Sequence, residues 1–232
     1  MNTLELSRRA RRGFTLIEMI VAIAIMAVLV GAAVPVTSKI LAYKAKKATR
    51  EELQVLADAC AELFRDSGVL PDSVADLLAD SGVSGWSGPY LPGVVTDAVS
   101  GLSGYEVDAW SRPYQLDATA DVLSITSSGG NATFGDTDDL EIALDVTWIR
   151  RQQTLDELKL INQAVQLYNG LYLTTDPLDS DWSSALDQLV LRGMLPTKAE
   201  YLNDAWGVPY VSDPQGLTPV VRIQSTSVND GL

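Results

Sequence analysis

A run of about 23 residues, from Phe14 to Val36, constrains this chain most, because Glu18 is the only charged residue in it. At about 1.5 Å per residue a helix of that length reaches ~34 Å, enough to cross a bilayer core of ~30 Å. Apolar side chains occupy every side of the helix, so it is not an amphipathic surface helix. The run predicts a transmembrane helix at residues 14–36.

The arginines at positions 8–12 leave two other interpretations of this segment. They can form the basic region of a secretory signal peptide, with residues 30–33 (Val-Gly-Ala-Ala) as its cleavage site. A twin-arginine signal is a related alternative, although Arg11 stands where an apolar residue should follow. Glu18 argues against both, because a charge at membrane depth costs roughly 2.5–3.5 kcal/mol and is a functional candidate by default.

Residues 13–18 read Gly-Phe-Thr-Leu-Ile-Glu, which resembles the class III signal of type IV pilins and of the pseudopilins of type II secretion. The resemblance implies a leader at residues 1–13, which a prepilin peptidase removes by cutting between Gly13 and Phe14. It also implies methylation of the new amino group of Phe14 and a role for Glu18 in filament assembly. A lone carboxylate in lipid needs a proton or a cation. The amino group of Phe14 in a neighbouring subunit can supply that cation.

The same resemblance implies a location and a set of partners. We expect a single-pass protein of the bacterial inner membrane, with its heads in the periplasm or on the cell exterior. The expected partners are copies of itself and other pilins or pseudopilins, the prepilin peptidase, an assembly ATPase and an inner-membrane platform protein. The net charge of −13 argues against nucleic acid as a partner.

Helical periodicity continues beyond the membrane segment. Pro35 is expected to bend or interrupt the helix, and apolar residues at three- and four-residue steps predict an amphipathic continuation over residues 37–66. A first head is expected at residues 67–148, with short strands at 115–117 and 122–125. The predicted fold class is α+β, type IV pilin-like: one long N-terminal helix followed by two small heads with short antiparallel sheets.

The second head is predicted from an internal repeat. Residues 108–114 read Asp-Ala-Trp-Ser-Arg-Pro-Tyr, and residues 204–210 read Asp-Ala-Trp-Gly-Val-Pro-Tyr. The first of these segments resembles part of the head of the major pseudopilin. Residues 49–53 are similarly repeated at 154–158, which predicts a duplicated head at residues 149–232. An amphipathic stripe from Leu155 to Tyr168 would replace the N-terminal helix there, and this second head lacks an acidic loop.

The acidic loop of the first head suggests a cation site. Residues 127–140 are rich in glycine and carry three carboxylates, and Ca²⁺ takes six to eight oxygen ligands. The resemblance implies calcium in the corresponding loop of major pseudopilins, so Asp136, Asp138, Asp139 and Asn131 are the candidate ligands. A solvated acidic turn is the alternative.

No catalytic pattern stands beside these features. The chain has no histidine, one cysteine, no phosphate-binding loop and no nucleophile elbow, so we expect a protein that is not an enzyme. The favoured function is a filament subunit in type II-like protein secretion. A type IV pilin or minor pilin for adhesion, motility or DNA uptake is one alternative, and a membrane-tethered periplasmic binding module is the other.

Overall fold

The structure is a computed structural model that describes residues 14–93 and 96–228, without the side chains of residues 32–36. Its four α-helices are α1 (Leu16–Ser67), α2 (Ala75–Leu78), α3 (Thr147–Tyr172) and α4 (Trp182–Leu191). Its five strands are β1 (Gln115–Ala118), β2 (Val122–Ser127), β3 (Leu140–Asp145), β4 (Val211–Asp213) and β5 (Arg222–Gln224). A 3-10 turn, Ala199–Tyr201, precedes β4. Helices and antiparallel strands follow one another along the chain, which confirms the α+β class.

Helix α1 is continuous over 52 residues. Thr15 caps its start, and Gly68 ends it in the left-handed conformation (φ 71°), which glycine adopts without steric cost. Of the two effects expected at Pro35, the interruption of the helix is wrong, whereas a bend stays a prediction. One proline removes only one backbone N–H, and the hydrogen bonds of the turns on either side carry the helix through.

The first core lies between the second half of α1 and a three-stranded antiparallel sheet with the order β1-β2-β3. Leu56 and Leu63 of α1 pack there with Leu123 and Ile125 of β2. Cys60 lies on the same buried face, as its apolar neighbours predict. Burial raises the pKa of its thiol to about 12, so the group stays a protonated, unreactive side chain at neutral pH. We call residues 49–146 the first unit.

The second core is built on α3, which follows β3 after a single residue, Val146. Its buried face carries Leu158, Ile161, Val165 and Tyr168 against α4 and the two-stranded sheet β4-β5. This face confirms the amphipathic stripe that the sequence predicts between residues 155 and 168. We call residues 147–228 the second unit.

A small junction connects the two units. Phe64 of α1 packs with Ile149 of α3 in a third apolar cluster. Arg150 lies above the Phe64 ring, 4.9 Å from its centroid, pairs with Asp121 at 2.9 Å, and donates to the carbonyl oxygen of Ala205. One cation therefore holds a loop of each unit and an aromatic ring of α1.

Several elements differ from the sequence predictions. Strands β1 and β2 match the predicted strands, while β3 and β4 were not predicted. Helix α4 begins at Trp182, because the Asp181 side chain caps it by accepting from the Ser184 N–H. Within the described part of the chain, no helix is both long enough and apolar enough to cross a membrane.

Candidate functional site

The N-terminal segment of α1 makes no contact with either core. Every side chain from residue 14 to residue 31 is exposed, and Phe14 has 82% of its surface accessible. The segment is almost entirely apolar. A continuous apolar surface of this size marks a binding surface, since soluble monomers rarely expose one.

Glu18 lies at the start of this segment, where its carboxylate closes the helix end. Its Oε2 accepts from the Thr15 backbone N–H at 2.9 Å and from the Thr15 hydroxyl at 3.0 Å. The Glu18 N–H in turn donates to the Thr15 hydroxyl at 3.3 Å. This reciprocal arrangement is a capping box. Thr-x-x-Glu is readable in the sequence, yet the motif analysis assigned Glu18 to assembly alone.

The predicted cleavage site is only partly visible. Gly13 and the rest of the leader at residues 1–13 lie outside the described residues. Phe14 lies outside any helix or strand, immediately before Thr15, whose extended backbone precedes the first turn of α1. Its exposed position beside Glu18 brings two of the three predicted processing and assembly residues together at one helix end.

The repeated Asp-x-Trp-x-x-Pro-Tyr segments form the same turn twice. In the first unit Asp108 accepts from the N–H groups of Trp110 (2.8 Å) and Arg112 (3.1 Å) and from the Ser127 hydroxyl (2.6 Å). In the second unit Asp204 accepts from Trp206 (3.0 Å), Val208 (3.0 Å) and Ser225 (2.7 Å). Both aspartates are buried. These residues therefore have a structural role, in which each aspartate organises its turn.

Each turn is also tied to a long helix in the same way. The Thr49 hydroxyl accepts from Ala109 N–H, and the Thr154 hydroxyl accepts from Ala205 N–H, both at 3.2 Å. The tyrosine that ends each segment donates to a glutamate one turn along the helix, at 2.8 Å in the pair Tyr114–Glu52 and 2.7 Å in the pair Tyr210–Glu157. The identical contacts place the two sequence repeats in equivalent surroundings.

These glutamates share an electrostatic setting. Burial raises the pKa of both Glu52 and Glu157, and the hydrogen bond from the tyrosine offsets part of the effect. Burial and the neighbouring carboxylate raise the pKa of Tyr114 and Tyr210 in turn. Each tyrosine therefore stays protonated and donates, which fixes the helix to its turn at neutral pH.

Comparison with known proteins identifies the N-terminal segment. The family model described as the prokaryotic N-terminal methylation motif matches residues 8–34. The chain carries the type IV pilin and pseudopilin signature. Such a signature indicates a membrane-anchored, exported precursor that is processed by prepilin peptidase and assembles with other pilins. No curated protein and no solved structure matches the chain.

The acidic loop of the first unit is held by hydrogen bonds from its own residues. The Asn131 Nδ2 donates to Asp136 Oδ2 at 2.6 Å and to Asp138 Oδ1. The Asn131 Oδ1 accepts from the Thr133 N–H at 2.7 Å. Asp139 accepts from backbone N–H groups of the loop through Oδ2, while its buried Oδ1 has no hydrogen-bond partner.

The structure therefore brings the four predicted calcium ligands into one loop, with an amide nitrogen between two of the carboxylates. Among the residues that the structure describes, no group of three or more acidic, cysteine or histidine side chains is arranged to hold a metal ion. Calcium binding would require the Asn131 amide to leave Asp136 and Asp138 and present its oxygen. Calcium in the first unit stays a prediction.

Proposed function

We propose that this chain is a structural subunit of a pilus or pseudopilus filament that is rooted in the inner membrane and acts in type II-like protein secretion. Prepilin peptidase would cut between Gly13 and Phe14 and methylate the new N-terminus. The observation that carries the proposal is the matched methylation motif on a helix whose apolar residues 14–31 are exposed on all sides. Lipid before assembly, and the same helices of other subunits after it, would cover that surface.

Glu18 would select the assembled state. Among the residues that the structure describes, its carboxylate is hydrogen-bonded by Thr15, at an exposed helix end. Cleavage creates an α-amino cation at Phe14, and a neighbouring subunit would bring that cation to Glu18 at membrane depth, where an opposite charge is worth most. The capping contacts hold the carboxylate at the helix end until then.

The decisive experiment combines N-terminal sequencing with cross-linking. The mature chain from membranes should begin with methylated Phe14, and single cysteines within residues 16–31 should give ladders of cross-linked subunits. Glu18→Ala should keep the membrane anchor and lose the ladders, while Glu18→Asp serves as the control that keeps the charge. A different N-terminus, or normal ladders from Glu18→Ala, would refute the proposal.

A type IV pilin or minor pilin is the second candidate, because the motif is shared by both kinds of filament. The repeated turn and helix contacts support the interpretation of residues 67–148 and 149–232 as two copies of one head. A doubled head favours a specialised subunit over the one that forms the shaft. Gold labelling of assembled filaments distinguishes them: label at one end indicates a tip subunit, and label along the length indicates a shaft subunit.

Calcium in the first head is a further part of the proposal. Its support is the buried, unpartnered Asp139 Oδ1 beside two more carboxylates in the same loop. Excess Ca²⁺ should raise the melting temperature of the wild-type chain, and Asn131→Asp, which replaces the amide donor by a fourth carboxylate, should enlarge the rise. The absence of a shift in both proteins would exclude a calcium site.

A further inference from the structure

The two sheets share their register but differ at one edge. Gln115 pairs with Thr126 in the first unit, and Val211 pairs with Gln224 at the equivalent place in the second. In the first unit β2 also pairs along six residues with β3, which packs on α1. Within residues 14–93 and 96–228, no strand pairs with the corresponding edge of β5.

A groove lies where the third strand of the second unit would be. It encloses about 670 Å³ between α3 and β5. Its lining combines apolar side chains (Leu155, Leu158 and Val221), basic ones (Lys159 and Arg222), carboxamides (Asn162, Gln163 and Gln166) and the carboxylate of Asp156. The α3 residues that line it span positions 155–166, about 17 Å at 1.5 Å per residue. A strand of about five residues has the same length.

The Asn162 side chain hydrogen-bonds to the unpaired edge of β5 inside this groove. Its Nδ2 donates to the Ile223 carbonyl at 3.0 Å, and its Oδ1 accepts from the Ile223 N–H at 2.8 Å. Because residues 49–53 align with residues 154–158, Ala57 of the first unit aligns with Asn162. There the equivalent of Ile223 is Ile125, which faces Ile142 of β3. The Asn162 carboxamide thus makes the two hydrogen bonds to Ile223 that the backbone of a third strand would make.

We propose that this groove is a strand-acceptor site for an extended segment of a partner protein in which apolar and acidic residues alternate. The segment would pair with β5, antiparallel, and displace the Asn162 amide. The first unit shows the sequence that such a place accepts: β3 reads Leu-Glu-Ile-Ala-Leu-Asp, with Leu140 buried against α1.

The charged side chains that line the groove also favour an acidic segment as its ligand. Among the residues that line the groove, two are basic, Lys159 and Arg222, and one is acidic, Asp156, in a chain whose net charge is −13. A local excess of positive charge on an acidic protein attracts acidic segments and disfavours basic ones. The Asn162 contacts meanwhile satisfy the N–H and carbonyl of Ile223 on this edge, which disfavours indiscriminate pairing with other chains.

The test uses a labelled peptide with the sequence of residues 139–146, Asp-Leu-Glu-Ile-Ala-Leu-Asp-Val, and the full chain in detergent. Fluorescence anisotropy should show saturable binding to the wild-type chain. Asn162→Ala installs the residue found in the first unit and frees two backbone groups, so binding should tighten by roughly fivefold or more. Val221→Asp, at a side chain that is 64% exposed, should abolish binding by repelling the acidic peptide. A peptide of the same composition without alternation should not bind.

Several outcomes would overturn the proposal. The first is the absence of saturable binding to both the wild-type chain and Asn162→Ala. The second is equal binding of the scrambled peptide, and the third is binding that Val221→Asp leaves unchanged. A dimer of the chain that Val221→Asp dissociates would assign the groove to a second copy instead. Tighter peptide binding after removal of residues 229–232 would assign it to the end of this chain. Because Val221 is exposed, its variant keeps the test valid even if Asn162→Ala does not fold.

Discussion

Replacing Asp204 by alanine should destabilise the second unit and leave the first intact. The carboxylate is 5% exposed and accepts three hydrogen bonds, from the N–H groups of Trp206 and Val208 and from the buried hydroxyl of Ser225. Those bonds outweigh the effect of burial and keep the pKa of Asp204 below its ordinary value. The alanine variant removes the acceptor and leaves all three donors behind.

The magnitude follows from those donors. An orphaned buried donor costs about 1–3 kcal/mol, so three set an upper bound of about 9 kcal/mol. Trp206 and Val208 are partly exposed, and water will satisfy their N–H groups in the variant. We therefore expect a loss of about 2–4 kcal/mol, a large share of a typical domain stability of about 5–15 kcal/mol. Asp204→Asn keeps an acceptor oxygen and should lose about half as much.

The assay is urea unfolding of the full chain in detergent, with hydrogen exchange measured by mass spectrometry to resolve the two units. Asp204→Ala should lose protection in α3 and α4, and the matched variant Asp108→Ala should lose it in β2 and β3. A loss below about 1 kcal/mol would refute the claim that the buried carboxylate organises the turn. An equal loss of protection in both units after Asp204→Ala would refute their independence.

Three further predictions concern the junction, the pH dependence and one close approach. Arg150→Met should lower the free energy of unfolding in urea by about 1–3 kcal/mol, because Asp121 loses its 2.9 Å partner; an unchanged midpoint would contradict this. Because the folded pKa of Glu157 lies above its ordinary value of 4.5, stability should fall as pH rises above 4.5, and Glu157→Gln should flatten that part of a pH–stability curve. Gly85→Ala should cost about 2–4 kcal/mol, since its φ is +86° and a Cβ would lie 2.5 Å from a backbone oxygen of α1. Gly68→Ala, with a similar φ and open space around it, should lower the free energy of unfolding by only about 1 kcal/mol. Thermal melts of the two variants measure this difference.

The long helices were predictable from the sequence because their apolar residues recur at helical spacing. The stripe of α3 between Leu155 and Tyr168 reads directly as a buried face, and the structure confirms it. The interruption at Pro35 was wrong because a single missing N–H is a local cost that a long helix absorbs. Strand β3 escaped prediction since its alternation is masked by the acidic loop that precedes it.

The candidate site was predictable to a similar extent. The match at residues 8–34 confirms the motif around Phe14 and Glu18, since it depends on a contiguous run of residues. The capping box at Thr15 was available from spacing alone and was missed. The contacts of Asn162 were not predictable, because they depend on an edge of β5 with which no described strand pairs, and a sequence does not reveal which edge stays unpaired.

The unbroken course of α1 determines how mechanical load passes through the molecule. Its later turns, with Leu56 and Leu63, are themselves part of the first core, so the N-terminal half continues into the folded half without an intervening loop. At about 1.5 Å per residue its 52 residues form a rod of roughly 78 Å. A pulling force on its exposed end is therefore transmitted along the helix to the first core. Separating the core from that end would require unfolding of the helix itself.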